Sequence, residues 1–327
     1  MTRTPPGPRV QREPGLPARV TVFEVGPRDG LQAETDIIPA AVKTELCRRL
    51  YAAGTLNLEV TSFVPPTWIP QLADAEQVVA ALDVPDGARA VGLVPNLRGL
   101  QRALDAGIRE VSVVVSATEA FAQANLNTTR SGAIDRAVEV VAAATAQGIP
   151  VRGYVSMAFG DPWEGAVDTA AVTEAAAVLH QAGSRTVALG DTIGVSTPGY
   201  TAAVIAETLA AGIPVESLAL HLHDTYGQSL ANVHAALRLG VAEFDSSVGG
   251  LGRCPYAKGA TGNLATEDLV WMLHGLGIET GLDLDALAAT TLWLSRIRNV
   301  RASSNVARAL AAAGFDTPDP VLEAPSA

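Results

Sequence analysis

Short apolar, β-branched runs alternate eight times with longer alanine-rich stretches of helical spacing, and this alternation narrows the fold more than any other feature. The runs are VTVFEV (20–25), LNLEVTSF (56–63), RAVGLV (89–94), EVSVVVS (110–116), VRGYVSM (151–157), TVALGD (186–191), SLALHLH (217–223) and AEFDSSV (242–248). The helical stretches are 40–53, 74–82, 97–106, 131–147, 168–182, 199–211, 227–239 and 266–276. Gly54, Gly107, Gly148, Gly183 and Gly240 each follow one and supply a left-handed closing residue. Strands separated by helices pair in parallel, because a parallel crossover needs a connection of that length. The pattern predicts an α/β fold, a closed (β/α)8 TIM barrel. An open doubly wound sheet is the alternative, but no G-x-G-x-x-G follows the first run to support a dinucleotide-binding form of it.

The 327 residues suit one such barrel with tails. Residues 1–18 hold five prolines and no apolar signal core, and read as a disordered or surface-draped tail. The barrel is expected over 19–282, extra C-terminal helices over 283–316 and a second tail over 317–327. Those extra helices are expected to pack on the barrel or a second subunit. The net charge of −11 argues against a nucleic-acid binder, and no apolar run is long enough to span a bilayer. Two cysteines, Cys47 and Cys254, make no disulfide framework, so a cytoplasmic location is expected. The two lysines, Lys43 in a predicted helix and Lys258 in a loop, are poorly placed for an imine-forming aldolase.

In a barrel the chemistry sits at the C-terminal strand ends. Polar residues collect there: Glu24 and then GPRDGLQ (26–32); Glu59, Thr61 and Ser62; Asp191 and Thr192; and His221, His223 and Asp224. His221 and His223 stand two apart on a strand, so both point to one face. The other three of the five histidines fall in predicted helices. An imidazole pair at a strand end suits a divalent metal, although one core and one loop histidine would give the same spacing. Asp29, at the end of a strand that neighbours strand eight after closure, and Asn263, in the loop after strand eight, offer oxygen donors, although an asparagine there more commonly caps a helix or braces the loop. Such a set suits Mg²⁺ or Mn²⁺; Zn²⁺ is less favoured without a thiolate. Arg28, beside Asp29, could be one half of a surface pair, but its place at a strand end favours a catalytic cation that can stabilise an enolate oxygen. Cys254 lies in a glycine-rich loop and is a candidate proton donor, or else a residue that packs under the loop, whereas Cys47 reads as buried filler.

Together FEVGPRDGLQAE (23–34), LEVTSFVPPTWIPQLADAEQV (58–78), LGDTIGVSTPG (189–199), LHLHDTYGQSLAN (220–232) and VGGLGRCPYAKGATGNLATEDLV (248–270) resemble the 3-hydroxy-3-methylglutaryl-CoA lyases of the DRE-TIM metallolyase superfamily. GPRDGLQ and the GLG-x-CPYA loop point to the lyase branch. Condensing relatives carry H-x-H-N-D on strand seven, where Asp224 follows His223 here. The resemblance implies metal ligation by Asp29, His221, His223 and Asn263. It implies enolate stabilisation by Arg28 and protonation by the Cys254 thiol, and it leaves Asp29 and His221 as candidate bases. Glu59 and Asp191 would order water, substrate or the metal shell, and Gln32 and Ser62 would line the pocket. The implied reaction is retro-Claisen cleavage of an acyl-CoA thioester to acetyl-CoA and acetoacetate, by a homodimer. A lyase for a related branched 3-hydroxyacyl-CoA, a Claisen condensing enzyme and a non-catalytic metal-binding barrel are the competing readings. Three positions depart from the family pattern: Arg253 where glycine is usual, Ala188 where serine is common, and Ala124 where a basic residue precedes the asparagine.

Overall fold

Every strand in the predicted series pairs in parallel with the next, and the last returns to the first. The computed structural model describes residues 7–252 and 262–315. The strands are β1 (Thr21–Glu24), β2 (Asn57–Ser62), β3 (Arg89–Leu93), β4 (Glu110–Ser116), β5 (Val151–Ser156), β6 (Thr186–Asp191), β7 (Leu218–Leu222) and β8 (Glu243–Ser246). They close in the order β1 to β8, with Phe23 paired to Asp245 at the seam. This is the (β/α)8 TIM barrel that the alternation predicts, and the open sheet is set aside.

The helices are α1 (Ala40–Ala52), α2 (Ala75–Ala80), α3 (Leu97–Ala106), α4 (Glu119–Leu126), α5 (Arg130–Thr145), α6 (Thr169–Ala182), α7 (Pro198–Ala210), α8 (Ser229–Leu237), α9 (Thr266–Gly275), α10 (Leu284–Arg298) and α11 (Asn305–Ala312). Side-chain caps start several of them: Asn96 accepts from Gly99 N, Thr129 from Gly132 N and Asp168 from Ala170 N. Gly107 and Gly183 close α3 and α6 in the left-handed conformation, as expected. Helix α4, in the loop after β4, has no counterpart in the sequence pattern. Its eight residues are too few to display a clear helical period.

A continuous apolar layer lies between sheet and helices, with Leu46, Leu50, Val111, Val172, Leu179, Leu220 and Leu269 buried in it. The barrel interior is different. Beside Phe23, Tyr154, Ala188 and Ala219 it holds Glu59, Ser112, Arg152, Asp245 and His221, all buried. Helix α10 packs on α1, where the Arg49 guanidinium lies 4.5 Å from the Trp293 ring centre. The buried Asp268 carboxylate ties α11 to α9 by accepting from Ser304 Oγ and from the backbone N–H groups of Asn305 and Val306. Residues 7–18 run over the helix ends opposite the strand mouth. Gln11 N donates to Gly275 O, and Glu13 meets His234 at 2.9 Å.

Candidate functional site

Chain from three places converges at the barrel mouth. Straight after β1 the backbone turns through a five-residue π-helical segment, Gly26–Gly30, which carries Arg28 and Asp29. His221 lies on β7 and His223 just beyond it, two residues apart and on one face. Their Nε2 atoms are 4.0 and 3.9 Å from Asp29 Oδ2. Donor atoms of these three residues all lie within 4.8 Å of one another.

Asn263 reaches the same point from the return after β8, bridged to His223. Its Nδ2 donates to Asp29 Oδ2 at 2.8 Å and to Leu251 O at 3.0 Å. Its Oδ1 is buried and has no hydrogen-bond partner among the described residues. An orphaned amide oxygen beside a carboxylate and two imidazoles is costly unless an electron-pair acceptor sits there. The donor set therefore fits a divalent cation that takes mixed nitrogen and oxygen ligands. Gly252 is required for this approach: its φ is +113°, and a Cβ there would lie 2.5 Å from Asn263 Nδ2.

The site is strongly polarised. Burial opposes ionisation of Asp29, but the Arg28 guanidinium and the two imidazoles outweigh it and hold the carboxyl well below its usual range. Burial also lowers His223, and the neighbouring His221 adds to this, bringing it to about 4. For His221 burial works the same way, but the hydrogen bond it donates to Asp245 and the negative charge beside it reverse this, and its pKa is raised. His221 Nδ1 is 3.0 Å from Asp245 Oδ2. With the Asp245 oxygen accepting, Nδ1–H donates, and in the neutral ring Nε2 then carries the lone pair on the Asp29 side.

Arg28 is clamped from two sides. Its Nη1 donates to Asp29 Oδ1 at 2.6 Å and its Nε to Glu59 Oε2 at 2.5 Å. Nη2 has no hydrogen-bond partner among the described residues. Glu59 is itself held by Ser112 Oγ. Burial raises the Glu59 pKa, opposed by Arg28. Arg28, Asp29, Gln32, Tyr154, His221 and His223 all border a cavity of about 910 Å³ whose wall continues over β3, β4, α4 and α5.

The other sequence candidates fall in different places. Asp191 turns its carboxylate to the backbone N–H groups of Val195 and Ser196, bracing the loop after β6, and burial raises its pKa to about 6. Ser62 is buried, with Oγ accepting from Val64 N, and is not among the residues bordering the cavity. Glu24, counted with the strand-end polar residues, faces away from the interior. It accepts from Gly26 N, Val248 N and Thr266 Oγ1 between sheet and helices. Strand alternation explains this, since Phe23 takes the inward position. Lys43 is buried in α1 and paired with Asp74 at 2.7 Å. Cys254, Arg253 and Lys258 lie outside the described residues.

Sequence reasoning missed Asp245, Arg152 and Tyr154. The available signal was charge at alternate positions of otherwise apolar strands. Arg152 and Tyr154 share one face of β5, and Glu243 and Asp245 share one face of β8.

Comparison with known proteins gives a family and a set of similar structures. A family model described as HMGL-like matches residues 19–292. Mitochondrial hydroxymethylglutaryl-CoA lyase of Gallus gallus is 46% identical over 294 residues, 90% of this chain and 98% of that protein. A Pseudomonas aeruginosa protein named 3-hydroxy-3-isohexenylglutaryl-CoA/hydroxy-methylglutaryl-CoA lyase is 47% identical over 297 residues, covering 91% of this chain and 99% of its own. The crystal structure of hydroxymethylglutaryl-CoA lyase from Pseudomonas aeruginosa is similar with a TM-score of 0.88 at 47% identity, over 91% of this chain and 99% of that one.

Proposed function

The chain belongs to the HMGL-like family, and on that premise we propose that it cleaves 3-hydroxy-3-methylglutaryl-CoA to acetyl-CoA and acetoacetate. The observation that carries this reading is the meeting of Arg28, Asp29, His221 and His223 at a cavity mouth, beside Asn263 Oδ1, which has no partner among the described residues.

Asp29, His221, His223 and Asn263 would hold one Mg²⁺ or Mn²⁺ ion. When bound, such an ion polarises substrate oxygens and lowers the pKa of the tertiary hydroxyl. Asp29, kept ionised by its neighbours, is placed to accept that hydroxyl proton. Breaking the C2–C3 bond leaves a ketone on one fragment and sends the electron pair to the thioester, as an enolate. Arg28 Nη2, which has no hydrogen-bond partner among the described residues, supports the developing negative charge, and the clamp by Asp29 and Glu59 keeps the guanidinium from swinging away. Cys254 then supplies the proton to C2, completing acetyl-CoA. The sequence around Cys254 supports that role, since glycines precede it and Arg253 adjoins it.

The deciding experiment is turnover of 3-hydroxy-3-methylglutaryl-CoA before and after EDTA, with Mg²⁺ or Mn²⁺ addback. Loss and recovery are expected; undiminished turnover after chelation overturns the metal reading. Iodoacetamide labelling with peptide mapping checks the thiol. Cys47 is fully buried with its pKa pushed up by burial, so Cys254 should label first and substrate should protect it. Labelling of Cys47 first removes Cys254 from the mechanism.

A second reading is favoured by the cavity wall. Val64, Trp68, Leu93, Val113, Val114 and Phe121 border it, an apolar surface suited to a longer substituent at C3. A panel of 3-hydroxy-3-alkylglutaryl thioesters separates the two readings by kcat/KM.

A further inference from the structure

We infer that Asp245 and Arg152, neither of which borders the cavity, form a buried positioning device that presents His221 Nε2 to the metal centre. This rests on the metal reading above and extends it to residues behind the site. The register carries the argument: β7 pairs with β8 so that His221 stands opposite Asp245. One Asp245 oxygen meets His221 Nδ1 at 3.0 Å, and the other accepts from Arg152 Nη2. Arg152 Nη1 is held in turn by Glu243, and the guanidinium lies 4.2 Å from the Phe23 ring centre. Arg152 is 2% exposed and Asp245 1%, so neither is free to choose another partner.

An imidazole can bind a cation through Nε2 only in the tautomer that carries its proton on Nδ1. A carboxylate held at Nδ1 enforces that tautomer, fixes the ring plane and strengthens Nε2 as a donor. His223 has no such support among the described residues, where its buried Nδ1 finds no partner. The two histidines are therefore unequal: His221 is preset from behind, and His223 is oriented only by packing. Arg152 acts one step further back, since it holds the Asp245 carboxylate in place.

The test uses the full-length protein stripped of metal and reads two quantities that a purely structural role leaves alone. The first is the His221 tautomer, from long-range ¹H–¹⁵N correlation at about pH 8.5; five histidines keep the spectrum assignable. The second is Mn²⁺ affinity, from the free-ion electron paramagnetic resonance signal. Wild type should show the Nδ1–H form. Asp245→Asn should lose that preference and bind Mn²⁺ about 10–100-fold more weakly. Arg152→Lys, which keeps the charge but not the fork, should move both readouts the same way and less far. A folded Asp245→Asn protein with wild-type tautomer and affinity overturns the inference. Should that variant not fold, unchanged readouts in Arg152→Lys overturn it instead. A wild-type protein that binds no Mn²⁺ sinks the metal centre, while the tautomer still decides whether Asp245 sets His221.

Discussion

Two buried arginines, Arg28 and Arg152, are built on the same plan and end in different work. Each bridges two carboxylates: Arg28 meets Asp29 and Glu59, and Arg152 meets Glu243 and Asp245. Each lies near the ring of Tyr154, at 5.8 and 5.2 Å from its centre. Arg28, however, borders the cavity, and its Nη2 has no partner among the described residues. Arg152 stands on β5 behind the site, with Phe23 stacked on it. The lesson concerns desolvation. A buried guanidinium needs anions to offset the loss of water, so finding it paired says nothing about its role. The role follows from what remains unpaired and which way it opens.

The largest effect is expected where the pairing alone is attacked. Arg152→Met leaves Asp245 and Glu243 without their cation and should cost about 3–5 kcal/mol in urea unfolding of the metal-free protein. A loss below 1 kcal/mol would mean that water or a shifted cation relieves the two acids, and the parallel with Arg28 would fail. Next comes Arg28→Lys, which should lower kcat by about 10²–10³ with Mn²⁺ affinity nearly unchanged, because a point charge does not replace the planar fork. A raised KM with kcat intact would recast Arg28 as a binding residue.

The smallest step per pH unit comes from acids that lack an arginine. Burial raises Glu24 to about 7 and Glu267 to about 8, from an ordinary value of 4.5. Each is satisfied by hydroxyl and backbone donors; for Glu267 these are Thr291 Oγ1 and Gly249 N. A raised folded-state pKa means the native protein holds protons that the unfolded chain has released. The stability these groups provide is therefore full below about pH 4.5 and is lost as pH rises through 7 and 8. Unfolding free energy should fall over that window by at most about 1.4 kcal/mol per pH unit per group, and the melting temperature should fall with it. Glu267→Gln should flatten the slope. A slope unchanged by that substitution would show that other groups carry it. Asp29 has the opposite sign, since its depressed pKa withdraws stability only in strong acid.

How much of this was legible depended on whether a residue acts along the chain or across it. The H-x-H pair was readable because a strand places every second side chain on one face, so spacing alone brought His221 and His223 together. Arg28 and Asp29 were readable because they directly follow β1, where a barrel puts its chemistry. Ser62 shows the limit of that rule. It is a strand-end residue like the others, yet it is buried with its Oγ accepting from Val64 N and does not border the cavity. Bulged pairing between Glu59 and Thr61 shifts the β2 register there, and a sequence pattern carries no mark of it.

The amino-acid order by itself determined the barrel, since eight strands separated by helices have few other ways to bury one apolar layer and pair every backbone group. It also determined the donor types at the mouth. Only the tertiary structure decided which of those donors face one another, and what stands behind them. Asp245 in the run EFDSS looks like any polar strand residue. It becomes the partner of His221 only through the β7–β8 register, and of Arg152 only through closure, which brings β5 and β8 side chains together inside the barrel. Such contacts join residues 24 and 93 positions apart. Their strength comes from burial, and burial is a property of the closed barrel rather than of any segment within it.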